Sequence, residues 1–222
     1  MNLRAALVLT LVFAPLPAMG QARDAADEEL DRIERQLEQA RQVNEGAFRI
    51  VPPPERPVHE HHNVVRLDES SLATGLALME QCHVNLDPVP STQIVYNADN
   101  LRSVRIVARS GIGRAWVEGH RVELRDVERG ARICLLAETR IVEAQEDGIY
   151  VLRNGPFMRR FLDGYYPMRV KMRVEFPGRR LELLDAEPGS ETGFRVEETD
   201  GALAWDVWFE GELRTAIRFT VR

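Results

Sequence analysis

The chain has 222 residues, 44% hydrophobic and 29% charged, with a formal net charge of −6. That is the profile of a globular protein long enough to build a sizeable core, and neither a disordered nor a collagen-like composition. A net acidic chain has no electrostatic reason to bind nucleic acid through its overall charge.

Residues 1–20 have the pattern of a secretory signal peptide. Met1 to Arg4 is a short positive start, Ala5 to Leu16 an apolar run, and Ala18-Met19-Gly20 places small residues where a signal peptidase cuts. The apolar run is too short to span a membrane, and no cysteine follows it to take a lipid. The expectation is an exported protein, periplasmic rather than released from the cell, and not an integral membrane protein. Removing the leader takes away Arg4 and no acid, so the charge moves from −6 to −7.

Residues 21–45 read as a helical coiled-coil segment. Ala26, Leu30, Ile33, Leu37 and Ala40 recur at alternating spacings of four and three. Glu28 with Arg32 and Asp31 with Arg35 are favourably oriented i,i+4 pairs. Such a helix is marginal alone in water. Residues 24–44 are therefore expected to associate with another copy or with a protein partner. Residues 46–57 read as a stiff linker carrying Pro52, Pro53, Pro54 and Pro57.

Residues 58–222 are expected to be all-β, an antiparallel β-sandwich or a closed barrel. Met168, Val170, Met172, Val174 and Phe176 alternate with Arg169, Lys171, Arg173 and Glu175, as a half-buried strand does. Leu203 to Phe209 and Leu213 to Val221 repeat the pattern. Leu76, Leu78, Cys82, Val84 and Leu86 share one parity, which predicts that this set faces inward. Asp147-Gly148 and Asp200-Gly201 are hairpin dipeptides. Cys82 and Cys134 are the only cysteines. In an oxidising compartment they are expected to form one disulfide, stabilising by about 4 kcal/mol in the chain-entropy picture.

Three groups of residues could carry chemistry. His59, His61 and His62 lie within four positions. On an extended chain His59 and His61 face the same way, a spacing that grips Cu²⁺ or Zn²⁺ if a further ligand arrives. Asp68, Glu69, His83 and His120 are the available completions. The alternative is a solvated polar segment with no cofactor at all.

The second group runs from Arg153 to Arg173. Six cations stand here against Asp163, interleaved with Phe157, Phe161, Tyr165 and Tyr166. Arginine offers bidentate hydrogen bonds to carboxylates and phosphates, and aromatic rings offer rigid contact area. Arg153, Phe157, Arg159, Arg160, Phe161, Tyr165, Tyr166 and Arg169 are thus candidate binding residues for an anionic lipid, a glycan or an acidic partner. Residues 157–163 are expected to make one or two helical turns between Gly155-Pro156 and Gly164.

The third group is the tryptophans. Trp205 shares the apolar parity of its strand, whereas Trp208 faces the other way.

No nucleophile elbow, phosphate loop or activated cysteine is present. The functional expectation is a non-catalytic cell-envelope binding or assembly protein. The alternatives are a periplasmic copper or zinc protein using residues 59–62, and a hydrolase whose site has no linear motif.

Overall fold

The computed structural model describes residues 46–162 and 164–222. The expected signal peptide, the expected helix of residues 21–45 and Asp163 lie outside the described residues.

Strands dominate, as alternating apolar and charged residues dictate. In chain order they are β1 (Arg49–Ile50), β2 (Glu60–Arg66), β3 (Leu76–Leu86), β4 (Val89–Val95), β5 (Leu101–Glu118), β6 (Arg121–Arg140), β7 (Val142–Ala144), β8 (Ile149–Phe157), β9 (Arg159–Phe161), β10 (Gly164–Tyr166), β11 (Met168–Glu175), β12 (Leu181–Glu187), β13 (Glu197–Thr199), β14 (Ala202–Glu210) and β15 (Leu213–Val221). One short helix, α1 (Glu69–Thr74), links β2 to β3. Asp68 caps it by accepting from the Ser71 N–H, and Gly75 closes it in a left-handed conformation.

The larger sheet runs β1-β14-β11-β2-β3-β6-β4, with β13 on β14 and β5 on β6. This path does not return on itself. The second sheet runs β12-β15-β8-β7, and β9 and β10 form a small hairpin. Pairing is antiparallel except between β11 and β2, which run parallel. The chain between them is long enough to cross over, so the parallel pair carries no penalty of connection.

Apolar side chains from the two larger sheets meet in one core. Met168, Val170, Leu203 and Phe209 of the larger sheet pack with Leu152, Leu213, Ile217 and Phe219 of the smaller. A second cluster gathers Leu86, Ile112, Leu124, Val127, Ile133 and Leu135 beneath the β4–β6 arm. Trp205 joins the first core, and Trp208 is half-buried under the Arg169 guanidinium.

Cys82 and Cys134 form a disulfide across directly paired positions of β3 and β6. It therefore staples two neighbouring strands of one sheet. Hairpin chemistry also operates as the dipeptides imply: Asp200 and Gly201 both take positive φ between β13 and β14.

Two expectations need correction. The parity of β3 is inverted, because Ala77, Met79, Gln81 and His83 are the buried set while Leu78 is exposed. Leu86 reaches the interior only through a register shift after His83, where Asn85 adopts a left-handed conformation. Within the expected helical stretch 157–163, the described residues 157–162 are not helical. Phe161 pairs with Gly164, Arg160 with Tyr165 and Arg159 with Tyr166. Cross-strand cation–aromatic pairs reward the hairpin, and a helix that short is not self-supporting.

Candidate metal centre

The polar side chains on the inner face of β2 and β3 stand out because they are buried on strand faces that otherwise carry core residues such as Val65, Ala77 and Met79. β2 directs His61, Asn63 and Val65 inward, by strict alternation. β3 lies antiparallel beside it in a register that sets His61 against His83, Asn63 against Gln81 and Val65 against Met79. His59, just before β2, faces the same way. Alternation from β2 and register from β3 thus bring three histidines together that are 24 residues apart at most.

Each of His59, His61 and His83 offers a ring nitrogen within 4.8 Å of the others. His59 Nε2 and His83 Nδ1 are 3.0 Å apart. The His61 and His83 ring centres are 4.1 Å apart, and the Phe157 ring stands edge-on to His61 at 5.4 Å. Three imidazoles on a metal at about 2.0–2.1 Å have their nitrogens roughly 3.3 Å apart. The His59–His83 pair lies at hydrogen-bond distance, a little closer than that spacing. These three residues could hold a metal ion.

Electrostatics favours the neutral, ligating form. Burial pushes the His59 pKa down to about 4, opposed by the nearby Asp87 carboxylate. Burial also holds His61 and His83 well below the usual value, with the neighbouring imidazoles adding to the effect. Three uncharged imidazoles at neutral pH can bind a cation without first losing a proton to it. The Asp87 charge is taken up by Arg159, whose guanidinium donates two hydrogen bonds at 2.8 and 2.7 Å.

A second layer of contacts orients the cluster. His61 Nδ1 lies 3.4 Å from the Gln81 amide nitrogen, and the Tyr96 hydroxyl donates to Gln81 Oε1 at 2.8 Å. His83 Nε2 is buried and finds no hydrogen-bond partner among the described residues. The nitrogen of this ring that faces His59 is Nδ1.

The other sequence candidates are distributed as follows. His62 points to the opposite face of β2, where its Nε2 lies 2.8 Å from Glu60. Asp68 serves as the cap of α1, and Ser71 holds its carboxyl below the usual range. Glu69 pairs with Arg179. His120 sits in the β5–β6 turn, where its carbonyl accepts from the Tyr96 N–H. None of these belongs to the histidine cluster.

In the arginine-aromatic segment, Phe157 is a wall of the histidine site and Arg159 is half-buried on Asp87, over the rings of Phe161 and Tyr166. Arg160 is exposed above Tyr165, whose hydroxyl donates to Glu212. Arg169 makes a bidentate pair with Asp206. Arg153 pairs with Glu143 at the surface. His83 is the cluster member that linear spacing could not assign; the signal for it is the parity it shares with Gln81 and Met79.

Two cavities of about 800 and 470 Å³ meet at this cluster, both reaching His61, His83, Ile94, Val95, Phe157 and Met158. The first continues between the two larger sheets to Thr215. The second runs toward Asp87 and Arg160 and includes His59.

No family model matches the chain, and no curated protein matches it. Among solved structures, the M1 zinc metallopeptidase from Deinococcus radiodurans is 14% identical with a TM-score of 0.34, over 80% of this chain and 43% of that one. A mutant of it bound to a Tyr-Ser-Ala substrate is 14% identical with a TM-score of 0.36, over 78% and 42%. This chain spans less than half the length of those proteins. A likeness at that level carries no argument about activity.

Proposed function

We propose that this is an exported, periplasmic metal-binding protein in which His59, His61 and His83 hold one zinc or copper(II) ion. The observation that carries the reading is two buried imidazoles and a half-buried one facing one another with no carboxylate among them. Imidazole nitrogen suits both ions, whereas a magnesium or calcium site would need oxygen ligands. Gln81 and Tyr96 serve as the outer shell: the Tyr96 hydroxyl donates to Gln81 Oε1, and the Gln81 amide nitrogen faces His61 Nδ1 and orients its ring. The two sheets sharing one core support a β-sandwich as the scaffold.

Equilibrium dialysis of the mature protein against zinc and against copper(II) tests this. One ion per chain is expected for the wild type and for His62→Ala. His59→Ala, at the half-buried position, and His83→Ala are expected to lose it while keeping their far-ultraviolet spectrum. Equal retention by His59→Ala, or no uptake by the wild type, would overturn the reading.

A second reading, an envelope protein that touches an anionic lipid, a glycan or an acidic partner, is favoured by one observation. The β9–β10 hairpin projects Arg160, Phe161 and Leu162 outward, and Arg160 makes no ion pair among the described residues. Co-flotation with phosphatidylglycerol vesicles tests its lipid form. Binding lost in Arg160→Glu supports it, and no binding by the wild type removes it.

A further inference from the structure

We infer that the metal held by His59, His61 and His83 keeps an open position facing the cleft, and that this position takes the carboxylate of an organic acid with an apolar body. The inference rests on the metal reading above.

Among the described residues only three donors converge, so a four-coordinate ion lacks one protein ligand. Asp87, the carboxylate that acts most strongly on His59, is committed to Arg159 by two hydrogen bonds. His61 and His83, although buried, each line both cavities. A fourth ligand would enter through one of these cavities.

The walls define that molecule. Ile94, Val95 and Phe157 give an apolar surface beside the cluster. One rim carries Arg153 and Arg214, paired with Glu143 and Glu212, together with Glu187, and the other carries the Arg159–Asp87 pair and Arg160. Arg160, with no ion pair among the described residues, is the cation that favours a negative guest. Deeper in the cleft Thr215 is 3% exposed and its hydroxyl has no partner among the described residues. A polar atom left unpaired at that depth is a feature of a site built to be filled.

Cobalt(II) loaded into the mature protein reports its coordination through its visible absorption, and it stands in for zinc. Titration with acetate, benzoate and benzyl alcohol separates the possibilities. Benzoate and acetate are expected to shift the cobalt bands saturably, benzoate with a half-saturation about tenfold lower, the gain of burying part of a phenyl ring. Benzyl alcohol, without the carboxylate, is expected to leave the bands unmoved. Bands that ignore both acids while cobalt stays bound would show a closed site and overturn the inference, leaving the metal reading intact. Equal half-saturations for acetate and benzoate would overturn the ligand class. Failure of cobalt, zinc and copper(II) alike to bind would remove the metal reading and this inference with it.

Discussion

A neutral histidine buried against two others is a choice of protonation state as much as of packing. His59 titrates near 4 in the folded chain, and His61 and His83 lie well below 6.5. As pH falls through 6.5 the unfolded chain takes up protons that the folded chain refuses. The contribution is thus fully present above about pH 6.5 and is lost as pH falls toward 4. The urea midpoint of metal-free protein is expected to drop between about pH 7.5 and 5, and the drop to shrink in His59→Ala. An unchanged midpoint across that interval would contradict the neutral cluster. Gln81 acts one shell out. Gln81→Leu removes the group that fixes the His61 ring, and zinc affinity by competitive chelation is expected to fall about 10- to 100-fold. An affinity equal to wild type would show that Gln81 does not orient the ligand.

At the scale of elements, β3 is where sequence reasoning and structure part company, and the reason is physical. Its apolar parity, Leu76 through Val84, suggested the inward face, but the inward face is Ala77, Met79, Gln81 and His83. Hydrophobic periodicity assumes that the core side of a strand is the apolar side. A strand that lines a site violates this, and Leu86 recovers the interior only past a bulge. By contrast β11 and β14 obey the rule, and their inner residues sit in the main core. The facing of His59 and His61 was legible from alternation alone. The arrival of His83 depended on the β2–β3 register, which no local pattern specifies. The β3–β6 disulfide holds the strand bearing His83 to its neighbour. Replacing Cys82 and Cys134 with alanine opens a loop with a sequence separation of 52. Urea denaturation is expected to show a loss of about 4 kcal/mol. A loss under about 1 kcal/mol would mean that the bridge does not constrain the unfolded chain. Gly155 is a further fixed point on β8, with φ of +102° and the Leu213 carbonyl oxygen 2.5 Å from where a Cβ would lie. Gly155→Ala is expected to cost about 1–3 kcal/mol in the same assay, since both the backbone region and the space exclude a side chain. A cost near zero would contradict that packing.

For the molecule as a whole, the site occupies the gap between two apolar clusters, one shared by the two larger sheets and one under the β4–β6 arm. Such a gap lets water and small solutes approach imidazoles that are otherwise desolvated, and it places Phe157 as a wall on the route in. The all-β class was legible because periodicity of two and turn dipeptides are local signals. The site was only half legible, because it is assembled by pairing across strands and by a face that composition marks as outer. The central claim is the three-histidine centre. Zinc K-edge absorption spectroscopy of the zinc-loaded mature protein tests it most directly. Multiple scattering from three imidazoles bound at about 2.0 Å plus one oxygen ligand is the predicted result; a zinc shell with one imidazole or none would contradict it.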